Sequence, residues 1–441
     1  DKFAQPELNT EFSGEILPSA GAEIYLRKDI ALAPVKAYIW NGVEGAKEKE
    51  FGKVIITKEF APGEEMIVKA GETLVVDFGQ NSSAVPSFVF KAQEGTTLTC
   101  LPSELLNDGN GADKRGMDGP EGSVHRLNLR IPESGMLIDY TFGANKDYVT
   151  YMPTHSFFGY RFVSMTATDE VRIKSITSIP VSSITKEMEI GRITTGNELI
   201  NQLIANTYWG QLSNYLSVPT DCPQRNERLG WTADTQVFAE TGAFFAHTLT
   251  FFHKWMRDMR DSRSPQGGYP SVAPWGQYGN ETMRLGWGDA GIIVPWIVWK
   301  QFGDKQIVEE NWEAMDKYMN YIHETKYDFD THRPENGNHQ YADWLSYEAL
   351  EACAGLCWGP NGLLPEAITY YNYLSVSYWI LDATYMADMA KATGRDAARY
   401  LQMAEDGRAY MREHFMNADG TFKLDVLNSM QTPALFALKN G

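Results

Sequence analysis

The segment 195–216, TGNELINQLIANTYWGQLSNYL, marks the place where the pattern of the chain changes from strands to helices. Thr195 and Glu198 have the spacing of a capping box, in which two side chains satisfy free backbone N–H groups at a helix start. Apolar residues then recur at spacings of three and four, as on one face of a helix. They are Leu199, Leu203, Ile204, Tyr208, Leu212, Tyr215 and Leu216. The segment predicts an amphipathic helix capped at Thr195.

Short runs rich in β-branched residues, separated by Gly, Pro and Asn, characterise the chain before this segment. Examples are the runs at 53–57, 73–78, 96–99 and 157–165. Strands that alternate with turn residues, without a long helical period between them, are typical of β-sandwiches. We therefore predict a β-sandwich region over residues 1–185, with room for one and a half domains.

Helical spacing continues after the segment and indicates a helical domain over residues 190–441. The predicted helices cover 234–260, 290–302, 306–325, 367–393 and 396–416. Gly394 follows one of them in the position of a left-handed cap. The intervening loops at 261–288 and 326–366 are rich in Gly, Pro, Trp and acidic residues, and long loops of this kind often carry functional sites.

The charge of the chain limits its ligands. Apolar residues make up 43% and charged residues 22% of the sequence, as in domains with a hydrophobic core. A formal net charge of −18 disfavours nucleic acid and anionic membrane surfaces, so a neutral ligand fits best. Since no run of about 18 consecutive apolar residues occurs, we expect no membrane insertion. The sequence leaves the oligomeric state open and slightly favours a periplasmic or extracellular location over the cytoplasm.

The sequence contains no strong signal for a metal or a cofactor. Cys353 and Cys357 have C-x3-C spacing, but without a second Cys or His pair a local disulfide or two free thiols is favoured over zinc. His332 and His339 share a loop without further ligands. A Gly-rich phosphate loop, an H-E-x-x-H motif and a G-x-S-x-G motif are missing from the sequence. We expect neither a metal nor a cofactor.

The segment 220–234, TDCPQRNERLGWTAD, is the strongest candidate for a catalytic site. It holds three carboxylates, Asp221, Glu227 and Asp234, with two arginines between them. A carboxyl group near other carboxylates, or sheltered by a ring such as Trp231, is shifted toward its protonated form, as a proton donor near neutral pH must be. The same residues could instead form a surface loop held by Arg–carboxylate pairs, and spacing alone leaves both interpretations open.

Tryptophan and aspartate also occur together at 287–290 (Trp-Gly-Asp-Ala) and at 343–344 (Asp-Trp). Asp289 is placed either to cap the helix that follows it or to act in a site. Trp231, Trp287 and Trp344 lie at predicted junctions between loops and helices, where an exposed ring can stack on the apolar face of a sugar. We assign the mid-helix residues Trp296, Trp299 and Trp312 to the core.

The stretch from Asp221 to Asp234 resembles the signature D-C-P-Q-R-D-E-R-L-G-W-T-G-D of bacterial α-L-rhamnosidases of glycoside hydrolase family 78. Residues 77–81 and 157–162 are similar to the β-sandwich that precedes the catalytic barrel of that family. Asn226 and Ala233 replace the usual Asp and Gly of the signature, which we expect to tune the substrate. The resemblance implies a β-sandwich region followed by part of an (α/α)6 barrel.

The resemblance also implies an activity and a set of roles. Members of this family cleave terminal α-L-rhamnose with inversion, and the residue matching Glu227 is their general acid. The residues that would hold the sugar are Asp221, Arg225, Trp231 and Asp234, with Trp287 and Trp344 as further walls of the pocket. Rhamnose-containing glycans or glycosides are therefore the expected ligands.

The length of the chain departs from this family. An (α/α)6 barrel needs twelve helices and the spacing predicts about six, so we expect the 441 residues to be part of a longer polypeptide. The general base is expected beyond Gly441, in a Trp-Glu motif, and the chain alone should hydrolyse little. Two other functions remain open: an (α/α)6 enzyme acting on another sugar, and a glycan-binding protein without catalysis.

Overall fold

The computed structural model describes residues 22–129, 136–276, 284, 286–322, 343–344, 346 and 365–441. The predicted features at His332, His339, Cys353 and Cys357 lie outside these residues. The strands are β1 (Tyr25–Leu26), β2 (Lys36–Glu44), β3 (Lys53–Phe60), β4 (Met66–Val68), β5 (Thr73–Ala92), β6 (Thr97–Ser103), β7 (Ile138–Thr141), β8 (Val149–Tyr151), β9 (Phe158–Ala167), β10 (Val171–Ser182), β11 (Tyr215–Leu216) and β12 (Val218–Pro219).

Strand β5 organises the β-domain, in which β1 to β10 pair antiparallel. Its first half pairs with β2 and β9, and its second half pairs with β10 and β8. The pairing with β9 shifts register between Asp77 and Ser82, which leaves residues 78–81 as a bulge. A strand that changes partners at a bulge lets a sheet turn and cover its own inner face.

Apolar side chains between these strands form one core. Its members include the fully buried Leu74, Val76, Phe88, Phe90, Leu98, Tyr160, Val163, Met165 and Ile173. Val163 and Met165 on β9, and Val171 and Ile173 on β10, lie two positions apart, as expected for residues on one face of a strand. The prediction of a strand-rich first part is confirmed.

The helices follow the β-domain. Their bounds are α1 (Ala112–Arg115), α2 (Glu198–Asn214), α3 (Thr232–Phe245), α4 (Leu249–Asp261), α5 (Ala290–Phe302), α6 (Gln306–Tyr321), α7 (Pro365–Ala392), α8 (Ala398–Phe415), α9 (Asp425–Asn428) and α10 (Gln431–Asn440), and short 3₁₀ turns cover Lys28–Ile30, Leu127–Leu129 and Lys186–Met188. Helix α5 packs against α3 and α6, and α7 packs against α8. Trp296, Trp299 and Trp312 pack against the apolar core of these helices, as predicted.

Two predictions about individual helices are wrong. The cap of α2 is Asn197, whose side-chain oxygen accepts hydrogen bonds from the N–H groups of Leu199 and Ile200, whereas Thr195 bonds to Asn197. The predicted helix 234–260 is two helices, because the chain is extended at Ala246 after α3. A new helix, α4, begins at Leu249. Gly394, at φ 72°, adopts the left-handed conformation expected behind α7.

The apolar face predicted for α2 is confirmed only near its end. Leu212 is buried, but Leu199 and Leu203 are 82% and 64% exposed. The last turn is covered because it lies on β5, where Ser83 N–H donates to Ser213 Oγ at 3.1 Å and Ser83 Oγ donates to the Ser213 carbonyl oxygen at 2.5 Å. The β-domain and the first long helix are therefore in direct contact.

Candidate active site

The loop between β12 and α3, residues 220–231, is closed on itself by Asp221 and Leu229. The Asp221 N–H donates to the Leu229 carbonyl oxygen at 2.9 Å, and the Leu229 N–H donates to Asp221 Oδ1 at 2.8 Å. Arg228 inside the loop has a positive φ of 49°. Its guanidinium donates to the carbonyl oxygens of Pro223 and Phe157, both at 2.9 Å, which ties the loop to the β-domain.

The segment 270–273 supports the other side of this loop. The Ala273 N–H donates to the Gly230 carbonyl oxygen at 3.0 Å, and the Thr232 N–H donates to the Ser271 carbonyl oxygen at 2.9 Å. A Cβ atom at position 230 would lie 2.2 Å from the Ala273 carbonyl oxygen, so only glycine fits there. The loop is thereby fixed between the β-domain and the start of α3.

Glu227 lies at the centre of the loop, and its side chain is only 9% exposed. Arg225 donates to Glu227 Oε2 through Nε at 2.9 Å, and its Nη2 is 2.6 Å from the same oxygen. Trp231 Nε1 donates to Glu227 Oε1 at 3.0 Å. Both carboxylate oxygens are thus oriented by neighbours in the loop. An Arg–carboxylate pair does form, as the surface-loop interpretation predicted, but it is largely sheltered from solvent.

Asp221 and Asp234 flank this carboxylate. Burial, followed by the charge of Glu227, raises the pKa of Asp221 against the opposing effect of its hydrogen bonds. Restricted hydration, followed by the charges of Asp221 and Glu227, raises the pKa of Asp234 to about 6. The Asp234 side chain is nevertheless exposed at one side, so solvent screens part of this repulsion. The three carboxyl groups therefore face one space at the start of α3.

One trio in this loop has the composition of a metal site. The ligand atoms of Asp221, Cys222 and Glu227 lie within 4.8 Å of one another. Burial raises the pKa of the Cys222 thiol to about 12, which disfavours the thiolate that a metal requires. Glu227 is already held by Arg225. The trio fits a metal poorly, and we assign none to it.

Trp287 lies near α3, because its neighbour Gly286 contacts that helix. Gln236 of α3 donates through Nε2 to the Gly286 carbonyl oxygen and to Tyr378 Oη, both at 3.0 Å. The Trp287 side chain is 6% exposed, so little of its ring is accessible in this structure. Trp344 is 40% exposed. The neighbouring Asp343 Oδ2 accepts hydrogen bonds from Tyr370 Oη at 2.8 Å and Thr432 Oγ1 at 2.9 Å.

Asp289 does not cap α5 with its side chain, so that interpretation is wrong. Its Oδ2 accepts from the Gly286 N–H at 2.7 Å, and its Oδ1 accepts from Tyr318 Oη at 3.1 Å. The buried carboxyl group of Asp382 in α7 lies beside it, and burial raises the pKa of both groups, most strongly that of Asp382. Sequence reasoning missed Asp382, although a lone carboxylate in the apolar stretch of α7 was a usable signal.

Two domain models match this arrangement of a β-domain and helical pairs. The bacterial alpha-L-rhamnosidase concanavalin-like domain matches residues 52–182, and the bacterial alpha-L-rhamnosidase 6 hairpin glycosidase domain matches residues 188–441. The fold and the carboxylate-lined loop therefore define a protein with a six-hairpin glycosidase domain. The second match covers more than half of the chain, and the chain belongs to the bacterial α-L-rhamnosidase family.

Full sequences and solved structures agree with this assignment. An alpha-L-rhamnosidase of Formosa agariphila is 34% identical over 378 residues, which are 85% of this chain and 37% of the relative. One of Streptomyces avermitilis is 31% identical over 383 residues, or 85% of this chain and 32% of the relative. The structure of the S. avermitilis alpha-L-rhamnosidase complexed with L-rhamnose has a TM-score of 0.70 at 27% identity, covering 94% of this chain and 33% of that chain. This chain spans about a third of the length of these relatives.

The family resemblance and the fold class expected from the sequence, a β-sandwich region followed by part of an (α/α)6 barrel, are thus confirmed. None of the helices in the described ranges is long and apolar enough to cross a lipid bilayer.

Proposed function

We propose that this chain carries the acid side of the active site of an α-L-rhamnosidase, which removes terminal α-L-rhamnose from glycans or glycosides with inversion. The observation that carries the proposal is the position of Glu227, nearly buried between Arg225 and Trp231 and close to two further carboxyl groups. The relative from Streptomyces avermitilis, whose structure is complexed with L-rhamnose, supports rhamnose as the sugar.

Glu227 is assigned as the general acid that protonates the glycosidic oxygen as the bond to the leaving group breaks. In this structure Arg225 donates to that carboxylate. A sugar hydroxyl that accepts from Arg225 competes with this contact, and Glu227 then becomes accessible to the glycosidic oxygen. The short loop between the two residues keeps donor and acid close together throughout.

Asp221 and Asp234 are assigned to the sugar hydroxyls, since carboxylates accept hydrogen bonds from two hydroxyls at once. Trp231 lies beside Glu227 and offers an apolar face to the sugar ring. Trp287 and Trp344 are proposed as further walls of the same pocket, with Trp344 the more exposed of the two.

An inverting reaction also needs a second carboxylate, at roughly 6.5–9.5 Å from the acid, to activate water on the opposite face of the sugar. We propose that a glutamate of the family's Trp-Glu motif is this general base; the Trp312-Glu313 pair does not supply it, since Trp312 packs against the helical core and Glu313 is exposed on α6. We also propose a periplasmic or extracellular location for the protein.

The proposal is tested by hydrolysis of p-nitrophenyl α-L-rhamnopyranoside by the 441-residue chain and by a longer polypeptide that contains it. Release of β-L-rhamnose, followed by NMR before mutarotation, identifies inversion. We expect turnover in the longer form and little in the 441-residue chain. Full activity in the 441-residue chain would place the base within it, and inactivity of both forms toward rhamnosides would contradict the proposal.

A further inference from the structure

The bulge in β5 carries polar side chains across the sheet toward the 220–231 loop. Arg161 donates through Nε and Nη2 to the two carboxylate oxygens of Asp77, both at 2.8 Å, and the Gly79 N–H donates to Asp77 Oδ1 at 2.7 Å. These contacts fix the bulge. At the end of the bulge, Asn81 Nδ2 donates to Glu104 Oε1 at 2.9 Å. Since β9 lies between β5 and β6, this bond passes over β9.

The carboxylate of Glu104 accepts hydrogen bonds from two side-chain amides. It lies within electrostatic reach of Arg225 in the 220–231 loop. Asn128 Nδ2 donates to Glu104 Oε2 at 3.3 Å, in addition to the bond from Asn81. Burial raises the pKa of Glu104, and the hydrogen bond from Asn81 and the charge of Arg225 oppose that shift. Arg225 in turn contacts Glu227. Arg225 is therefore within electrostatic reach of both Glu104 and Glu227.

Asp221 and Asp234 belong to the same cluster of charged groups on α3 and the 220–231 loop as Arg225 and Glu227. The charge of Glu227 raises the pKa of both aspartates, and the charge of Asp221 also raises the pKa of Asp234. The pKa of Glu104, in contrast, is shifted by the charge of Arg225. Glu104 is thus a carboxyl group that the β-domain contributes near this cluster.

Acceptors without partners lie in the same region. Within the described part of the chain, Asn128 Oδ1 and Gln224 Oε1 are buried atoms for which no hydrogen-bond donor is found. Native proteins rarely leave such atoms unpaired, and hydroxyl groups of a ligand are suitable donors for them. Asn81 is exposed, so the group is open to solvent on one side. The amides and the carboxyl group together suit an uncharged molecule with several hydroxyls.

We propose that Asn81, Glu104 and Asn128 of the β-domain bind the sugar residue to which rhamnose is attached, with Glu104 as the specificity-determining residue. The inference rests on the proposed function, because a general acid stands at the boundary between the sugar that is released and its leaving group. Gly159 of β9 lies directly against Gln224 of the 220–231 loop, so a leaving group that extends from Glu227 over the β-domain meets Glu104. Adjacent hydroxyls of a neutral pyranose donate to the two oxygens of the Glu104 carboxylate.

The proposal predicts a change in specificity when Glu104 is replaced. The experiment compares kcat/KM for p-nitrophenyl α-L-rhamnoside, whose leaving group lacks hydroxyls, with kcat/KM for a disaccharide of rhamnose α-linked to glucose. Because a hydrogen bond to a charged group contributes about 1.5–3 kcal/mol, Glu104→Ala should lower the disaccharide value on the order of ten- to a hundredfold more than the aryl value. The loss should appear mainly in KM. Glu94→Gln, at an exposed turn of the same domain, is the matched control.

Glu104→Gln keeps the size of the side chain and serves as the second variant if Glu104→Ala folds poorly. Equal losses on both substrates, or no loss on either, would overturn the proposal. Calorimetric titration of the 441-residue chain with the disaccharide and with L-rhamnose gives a readout without turnover. If the longer polypeptide hydrolyses neither substrate but Glu104→Ala selectively weakens binding of the disaccharide, the assigned activity fails and the binding site stands. If hydrolysis is normal and disaccharide binding is insensitive to Glu104, the site fails and the activity stands.

Discussion

Gly159 at the start of β9 lies directly against the backbone of Gln224 in the loop that carries Glu227. A Cβ atom at position 159 would lie 2.8 Å from both the Cα and the N atom of Gln224. Side chains of the two domains are therefore not the only link between them, since the backbones themselves are in contact. The β-domain consequently determines where the 220–231 loop can lie.

Gly159→Ala tests this contact. The added methyl group meets backbone atoms that cannot rotate away, and overpacking of this kind costs about 1–3 kcal/mol. We expect Tm to fall by several degrees and binding of L-rhamnose to weaken, because Arg225 and Glu227 move with the loop. Gly143→Ala is the matched control, since nothing lies within 4 Å of its added Cβ. Equal Tm values for the two variants would contradict the role of the contact.

Replacement of the proposed acid should depend on the leaving group. Glu227→Gln removes the proton donor but keeps an acceptor for Arg225, so we expect kcat on natural rhamnosides to fall about 10²–10⁴-fold. The loss should be smaller on aryl rhamnosides, whose leaving groups need little protonation. Glu313→Gln on the exposed face of α6 should behave as the unmutated protein. An equal loss on both kinds of substrate would exclude Glu227 as the acid.

Asp234 should give sugar binding a pH dependence. Its pKa is raised to about 6, and the ionised form is the stronger acceptor, so the affinity for L-rhamnose should increase as the pH rises through this value. Asp234→Asn should remove this inflection and lower kcat/KM about ten- to a hundredfold.

The matched control is Asp258→Asn in α4. Its carboxyl group also has a raised pKa through burial, but it pairs with Lys254. We expect the inflection to persist in this variant. An unchanged pH profile and an unchanged kcat/KM in Asp234→Asn would remove that residue from the site.

The buried pair Asp289–Asp382 should make the fold less stable as the pH rises. Burial raises the pKa of both groups above the value of about 3.9 for an unfolded chain, so the folded state binds more protons than the unfolded state above that pH. Stability from this pair is therefore fully present below about pH 3.9 and is lost as the pH rises through the raised values.

Asp382→Asn is expected to weaken this decline and to raise Tm at pH 7, because a neutral amide can donate to Asp289 without repelling it. Thermal unfolding between pH 4 and 8 measures the effect. Asp147→Asn, at an exposed position of the β-domain, should leave the curve unchanged. A decline in Asp382→Asn as steep as in the unmutated protein would show that the pair is not its source.

The sequence by itself determined the features that are encoded over short distances. Periodicity located the change from strands to helices near residue 195, and the dense carboxylates of 220–234 identified the candidate loop. Both depend on neighbours along the chain, so spacing is sufficient to find them. The capping of α2 shows the limit even at short range, since the capping-box spacing predicted Thr195 as the cap and Asn197 caps the helix instead.

Only the tertiary structure decided which distant groups meet. Arg228 donates to the carbonyl oxygen of Phe157, 71 residues away in the sequence, and Asn81 reaches Glu104 across β9. Asp289 turned inward to Asp382 and Tyr318 although its position suited a helix cap. These contacts follow from strand order and helix packing, which bring residues together irrespective of their separation in the chain. The amino-acid pattern thus specified the candidate loop at 220–231, and the packing of the β-domain against it specified its surroundings.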